Sequence, residues 1–290
     1  MIQKSLPLLF LLFFFSTFSQ TIVKKTINSD YLGTNREIKI YLPKGYDEDK
    51  EKNYPLAIVL DSEYLFDLYV GNAVLFATKD KAPEQIIVGI NMAETRKKDT
   101  YFNVSTGEFT PSNKNFYQFI KNEVIFEIES SYKTSPFISM IGQGTSANLI
   151  TSFLGEKTPL INSYICINPT FSDFIGRQMQ AYNLLRLQKE DNTFYFTKVF
   201  EIYSAISKEE FDKNIKDLSP IDAIAYLQNK YLDIEFLFGS NLEIRQQDVF
   251  AVEKIIIEKE NGDQLLNFGL MILKLFPKSS LGEYYIGRYY

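Results

Sequence analysis

The sequence predicts an α/β fold, a three-layer sandwich with a mostly parallel central sheet. Continuous apolar runs such as Pro55–Leu60 are typical of strands covered on both faces. These runs alternate along the chain with amphipathic helical segments, which favours a sheet with helices on both sides. A content of 45% hydrophobic and 23% charged residues is ordinary for a globular protein, so we expect one large domain.

The first twenty residues predict a secretory signal peptide. A short basic start precedes the apolar block Leu6–Phe18, which is too short to span a bilayer comfortably, and small polar residues follow. The alternative is a retained amino-terminal anchor. We expect residues 1–20 to be removed and residues 21–290 to form a single domain without a membrane span. The mature protein would then be periplasmic or secreted.

The remaining elements follow from local patterns. Glu37–Leu42 alternates polar and apolar side chains, as in a half-buried strand. Further strands, mostly apolar, are predicted at Pro55–Leu60, Gln85–Ile90, Phe137–Ile141, Ser163–Ile167, Val199–Ile206 and Leu232–Phe238. Helices are predicted at Leu65–Thr78, Asn115–Ser130, Thr145–Leu154, Phe171–Leu187, Glu209–Asn229 and Leu265–Phe276. The polar stretch Tyr182–Thr197 is a candidate cap over a pocket, with an ordinary helix and surface loop as the alternative.

Composition excludes several functional classes. The chain has 31 basic and 36 acidic residues and no basic stripe, which argues against a nucleic-acid partner. It has no histidine and one cysteine, Cys166, so we expect no transition-metal site, no cofactor and no disulfide within the monomer.

Five segments together carry a family resemblance: Tyr31–Tyr46, Tyr54–Asp61, Ile86–Asn91 with Arg96 and Asp99, Phe116–Glu123 with Tyr132, and Ile141–Ser146. In this order they resemble the esterase D-like putative esterases. The resemblance covers a little over half of the mature chain and weakens after about Pro169. It implies an α/β-hydrolase fold and a Ser-His-acid triad acting on esters.

The resemblance places a nucleophile elbow, Gly-x-Ser-x-Gly, after the strand Phe137–Ile141. With Gly142 on the first glycine, Gly144 stands at the serine position and Ser146 at the last glycine. The acid would follow Val199–Ile206, where Glu209 and Glu210 are candidates, although both also fit the start of an exposed helix. The base would lie near Asn241 or, in another alignment, near Asn261 and Gly262, and neither place has a histidine.

The oxyanion hole could remain, because its donors are backbone N–H groups. By the resemblance these belong to Thr145 and to a residue just after Asp61, either Ser62 or Glu63. The sequence therefore predicts a divergent family member lacking the catalytic Ser and His, a pseudoenzyme that binds a small acyl or aryl ligand or an envelope protein. One alternative is an active esterase with a relocated, histidine-free site at Ser146 or Ser62. Another is a structural or assembly protein of the cell envelope.

Overall fold

A computed structural model describes residues 21–48, 50–79, 81–101, 103, 109–151, 153, 160–168, 203, 205–239, 242–259 and 261–290. The signal peptide, the helix Phe171–Leu187, the candidate cap Tyr182–Thr197 and Asn241 lie outside these residues. The described chain contains one sheet with six strands: β1 (Thr21–Ser29), β2 (Thr34–Leu42), β3 (Tyr54–Val59), β4 (Ile86–Ile90), β5 (Thr134–Gln143) and β6 (Ser163–Ile167).

The strand order in the sheet is β1-β2-β4-β3-β5-β6. The pairs β1–β2 and β2–β4 are antiparallel, while β4, β3, β5 and β6 run parallel to one another. The predicted mostly parallel sheet is therefore confirmed. Its inner strands are apolar on both faces, and every residue of β3 and β4 is buried. Such strands need a helical layer on each side.

Ten α-helices can be assigned in the described residues: α1 (Ser62–Thr78), α2 (Arg96–Thr100), α3 (Pro111–Phe119), α4 (Ile125–Ser131), α5 (Thr145–Thr151), α6 (Lys208–Asn214), α7 (Pro220–Phe238), α8 (Gln246–Glu258), α9 (Gln264–Leu275) and α10 (Ser280–Tyr289). A π-helical turn, Ile120–Val124, joins α3 to α4. None of the described helices combines the length and the apolar character that a membrane span requires.

Two helical layers cover the sheet. One face, with Ile58 and Val88, packs against α3, α4 and α5 through side chains such as Phe116 and Ile150. The other face packs against α1 through Phe66 and against α7, where the Phe137 and Phe238 ring centroids lie 4.9 Å apart. A further core lies among α7, α8, α9 and α10. The predicted three-layer sandwich is confirmed.

The predicted strand Leu232–Phe238 is wrong, because these residues form the last part of helix α7. Of the predicted strand Val199–Ile206, only residues 203, 205 and 206 are described, and none of these three lies in a strand. Helix α7 begins at Pro220, with the Ser219 side chain accepting a hydrogen bond from the backbone N–H of Asp222. A short apolar run cannot be assigned to strand or helix by its apolarity alone.

The predicted helix Glu209–Asn229 is divided into α6 and α7 by the turn before Pro220. A proline is best tolerated at the start of a helix, so it begins a new helix here. Strand β1 and helices α2, α8 and α10 were not predicted as regular elements. Helix α10 nevertheless packs against the core, because Tyr285 is completely buried and its ring lies beside the Phe268 ring in a tilted arrangement.

Candidate functional site

The segment from β5 to α5 has the strand–turn–helix form of an elbow. Strand β5 ends at Gln143, α5 begins at Thr145, and Gly144 between them has a φ of +58°. A side chain is unfavourable at this φ, and glycine adopts it freely. At Gly142 an added Cβ would lie 3.1 Å from the backbone carbon of Ser146, so the turn packs tightly against the strand. The structure therefore has a tight turn between β5 and α5, with Gly144 at its centre.

The position of a nucleophile at Gly144 faces a guanidinium group. A Cβ added to Gly144 would lie 3.4 Å from Nη2 of Arg96. That Nη2 donates a hydrogen bond to the carbonyl oxygen of Gln143 over 2.8 Å, so the guanidinium is fixed beside the elbow. The space above the turn is therefore bordered by a guanidinium group.

Ser146 is completely buried on α5. Its hydroxyl donates a hydrogen bond to Oδ1 of Asp61 over 2.9 Å. A hydroxyl that is buried and engaged in this way is not presented to a substrate. The geometry gives Ser146 a role in holding α5 against the end of β3.

Asp61 organises this end of the sheet. It follows β3 and precedes α1, it is completely buried, and it has left-handed backbone angles of φ 54° and ψ 41°. Its carboxylate accepts hydrogen bonds from Nε of Arg96 over 2.6 Å, from Ser146, and from the backbone N–H of Gln143 over 3.3 Å. A strained, buried and fully bonded carboxylate is typical of a functional site, where the surrounding structure sustains the strain.

Arg96 stands at the start of α2 with its side chain 35% exposed. Desolvation lowers the pKa of its guanidinium, but the hydrogen bond and the negative charge of Asp61 outweigh this effect and raise the pKa above its ordinary value. At the other end of α2, the Thr100 and Thr145 hydroxyl oxygens lie 2.8 Å apart. These contacts join α2 to both the end of β3 and the start of α5.

Helix α2 has a second anchor on the sheet. Nη1 of Arg36 on β2 donates to Oδ2 of Asp99 over 2.6 Å, and both side chains are buried. The Thr95 hydroxyl also donates to Oδ2 of Asp99 over 2.6 Å. The guanidinium of Arg36 lies 5.3 Å from the centre of the Phe116 ring, which adds a cation–π contact.

The two predicted oxyanion-hole segments lie at neighbouring strand ends. Val59 of β3 pairs with Ile141 of β5 in parallel register, so Ser62 and Thr145 follow adjacent strands at the same edge of the sheet. Ser62 is buried, and its hydroxyl has no hydrogen-bond partner among the residues that the structure describes. The Glu63 carboxylate accepts from the backbone N–H of Met92 over 3.2 Å. The fold thus brings the two predicted segments to one edge of the sheet.

Tyr64 borders the same edge and is 48% exposed. Burial raises the pKa of its hydroxyl above the ordinary value, and the negative charge of Asp61 raises it further. The phenol therefore stays protonated at neutral pH and can donate a hydrogen bond. From the sequence, Arg96 was noted only as part of the segments that carry the family resemblance, and Tyr64 was not predicted to belong to the site.

The structure does not bring the candidate acids to the elbow. Glu209 is exposed on α6, in an open surface depression with Lys208, Asp212 and Lys213. Glu210 accepts hydrogen bonds from the Tyr226 hydroxyl over 2.9 Å and from Nζ of Lys230 over 3.1 Å, both on α7. Asn241 lies outside the described residues. Asn261 and Gly262 lie in the turn between α8 and α9.

Metal binding has no candidate within the described part of the chain. No group of three or more Cys, Asp or Glu side chains there could hold an ion. Cys166 on β6 is half-buried, its Sγ lies 3.7 Å from the carbonyl oxygen of Ala147, and burial raises the pKa of its thiol. A protonated thiol packed in this way acts as an apolar side chain.

Comparison with known proteins agrees with this geometry. Residues 29–149 match the Putative esterase family, and no curated protein matches the chain. An uncharacterised protein from Capnocytophaga ochracea has a similar structure, with a TM-score of 0.75 at 19% identity over 93% of this chain and 89% of that one. An IroE-like serine hydrolase from Shewanella oneidensis has a TM-score of 0.56 at 15% identity, over 93% of this chain and 99% of its own. The chain thus has an α/β fold like that of these two structures, and its residues 29–149 match the Putative esterase family.

Proposed function

We propose that this protein is a non-catalytic esterase homologue that binds the acyl or aryl carbonyl group of a small ligand at the elbow without cleaving it. The observation that carries the proposal is Gly144, which stands at the nucleophile position and faces Nη2 of Arg96. Loss of a nucleophile or base leaves only the acceleration that binding and the oxyanion hole supply. The sequence has no histidine to act as the base.

Carbonyl binding is supported by the donors at this edge of the sheet. The guanidinium of Arg96 lies beside Gly144, and the segments after β3 and β5, whose backbone N–H groups are the proposed donors, lie at the same edge of the sheet. Arg96 is neutralised by Asp61, and Glu63 adds a negative charge nearby, so a neutral carbonyl suits the site better than a free anion. The ligand class is therefore an intact ester or a related neutral acyl compound.

Hydrolysis is the first test. We expect the purified protein to cleave 4-nitrophenyl acetate and 4-nitrophenyl butyrate no faster than buffer, and Ser146→Ala and Ser62→Ala to behave identically. Turnover abolished by Ser146→Ala or Ser62→Ala would overturn the proposal and establish an active site without histidine. Turnover unaffected by either change but lost on heat denaturation would also overturn it.

Binding is the second test. Ligand-observed NMR with methyl butyrate and methyl benzoate should show saturation transfer from the protein. Thr145→Pro should remove it, because proline is tolerated at the first position of a helix but has no N–H to donate. Thr145→Val is the matched control, since it keeps the N–H and loses only the hydroxyl contact with Thr100. Equal binding by both variants would contradict a carbonyl site at the elbow.

We also propose that the protein is exported and that residues 1–20 are removed. The support is the short basic start followed by the apolar block Leu6–Phe18. The intact mass of protein recovered from the periplasmic or culture fraction should correspond to a chain starting near Thr21. A full-length chain in the membrane fraction would favour a retained anchor instead.

A further inference from the structure

Helix α1 exposes an apolar stripe on the side facing away from the sheet. Its inner face buries Leu65, Phe66, Val70 and Ala73 against the strands. On the outer face, Tyr64 is 48% exposed, Leu68 61% and Leu75 53%. Surface helices ordinarily carry polar side chains there, so an apolar outer face on a helix of this length points to an unseen neighbour.

The spacing of the stripe is that of a helix–helix seam. Tyr64, Leu68, Gly71, Leu75 and Thr78 are separated by steps of four, three, four and three residues, and all five are exposed. At 100° per residue these positions fall within a narrow arc of the helix surface. The alternation of four- and three-residue steps is the pattern by which two helices pack side by side.

The stripe is nearly symmetric about its middle residue. Gly71 is exposed, and an added Cβ there would meet no heavy atom within 4 Å. Leu68 and Leu75 flank it at similar distances, and Tyr64 and Thr78 lie seven residues to either side. A small residue at a crossing point lets two backbones approach closely. A surface that is alike on both sides of a central point is self-complementary under a two-fold axis, which favours a second copy of the chain over an unrelated partner.

The charges at the two ends of α1 specify an antiparallel pairing. Glu63 and Asp67 are exposed near its amino end, and Lys79 and Lys81 are exposed just after its carboxyl end. Antiparallel packing brings the acidic end of one helix to the basic end of the other and aligns the two helix dipoles favourably. Parallel packing would place like charges together.

We propose that the protein forms a two-fold symmetric dimer in which the α1 helices of two copies pack antiparallel and cross at Gly71. Helix α1 has 17 residues and is about 25 Å long. One helix pair of this length buries less than the roughly 1,200–2,000 Å² of a standard stable interface, so the dimer is weak, with a dissociation constant in the micromolar range. This inference does not depend on whether the elbow binds a ligand.

Sedimentation velocity over a concentration series tests the dimer, with the amino terminus of the purified protein defined by intact mass. We expect a monomer–dimer equilibrium whose dissociation constant rises at least about tenfold in Leu68→Asp. Leu270→Asp on α9 is the matched control, because Leu270 is 50% exposed, and it should leave the equilibrium unchanged. A chain that stays monomeric at all concentrations, or equal weakening by both variants, would overturn the proposal.

Gly71→Ala separates folding from association. The Cβ meets nothing in one copy, so the variant should be folded and at least as resistant to heat as the wild type, since alanine favours helix over glycine. The same Cβ would push the two helices apart and weaken the dimer. A Gly71→Ala protein that associates as strongly as the wild type would exclude a crossing at this residue.

Cysteine crosslinking tests the orientation. In a Cys166→Ala background, Gly71→Cys should form an intermolecular disulfide under mild oxidation, because the two positions meet at the two-fold axis. Thr78→Cys should not, since two copies of residue 78 would lie about 20 Å apart in an antiparallel pair. Efficient crosslinking at both positions would show a parallel arrangement and overturn the antiparallel proposal.

Discussion

The Ser146 hydroxyl donates a hydrogen bond to Oδ1 of Asp61 over 2.9 Å, and both side chains are completely buried. Ser146 lies in the first turn of α5, and Asp61 lies between the end of β3 and the start of α1. The buried Asp61 carboxylate also accepts from Arg96 and from the Gln143 N–H, and the loss of any one of its donors leaves it less stable. The serine nearest the elbow therefore supports structure.

Ser146→Ala should lower the free energy of unfolding by about 1–3 kcal/mol, the usual cost of removing a buried hydrogen bond to a charged group. Urea denaturation followed by circular dichroism measures the change. Ser130→Ala is the control, since the Ser130 hydroxyl bonds only the carbonyl oxygen of Phe126 on an exposed face of α4, and it should change stability by less than about 0.5 kcal/mol. Equal effects of both variants would contradict the structural role of Ser146.

Gly144→Ser should not create an esterase. The variant restores the hydroxyl of the family motif, but the site has no base to accept its proton. A side chain at a φ of +58° should also destabilise the protein by about 1–2 kcal/mol. Gly262→Ser is the matched control, because its Cβ would meet nothing within 4 Å and its φ is not positive. Ester turnover by Gly144→Ser above the wild-type level would show that another residue acts as the base.

Asp248 should make stability depend on pH. It is completely buried on α8, and desolvation raises the pKa of its carboxyl despite hydrogen bonds from the Ile206 N–H and the Tyr231 hydroxyl. Protonation of Asp248 therefore favours the folded state. This contribution to the free energy of unfolding is fully present below the unfolded pKa and is lost as the pH rises through the higher folded pKa. Asp248→Asn cannot ionise, so its free energy of unfolding relative to wild type should increase from about pH 4 to 7. Urea titrations at several pH values test this, and a constant difference would contradict it.

Gly239 should tolerate no side chain. It ends α7 with a φ of +87°, and an added Cβ would lie 1.8 Å from the carbonyl oxygen of Asn53. Gly239→Ala should therefore cost about 4 kcal/mol or more or prevent folding, because backbone on both sides must move. Gly33→Ala is the control, since Gly33 has a φ of +63° and open space, and it should cost only about 1 kcal/mol. Thermal melting compares the two, and similar melting temperatures would contradict a tight contact at Gly239.

The central strands could be predicted because they are short runs that are apolar at every position. Runs such as Ile86–Ile90, preceded by a proline-containing segment, suit a strand buried on both faces. The run Leu232–Phe238 is also short and rich in apolar residues, but it is helical, since Ser219 and Pro220 begin a helix that continues for 19 residues. Its helical character depends on a start signal twelve residues earlier, which a local window does not contain.

The turn at the elbow could also be predicted, because closely spaced glycines favour a turn in any fold. The side-chain contacts around this turn could not be predicted. Asp61, Arg96 and Ser146 lie far apart in sequence and meet only because β3 and β5 are adjacent in the sheet. All three residues stand in the segments that carry the family resemblance, and Ser146 was considered there as a relocated nucleophile. Their contacts depend on the left-handed conformation of Asp61, which the sequence alone does not reveal for a residue other than glycine.

Helix α2 is fastened to the sheet by two ion pairs, Arg36–Asp99 and Asp61–Arg96, which involve different strands and opposite parts of the helix. Helix α2, held in this way, cannot move to cover a ligand as it binds. Ligand association should therefore occur in one kinetic step, with an observed rate that rises linearly with ligand concentration and never reaches a plateau. Release would be governed by the lifetime of a few hydrogen bonds at a preformed surface.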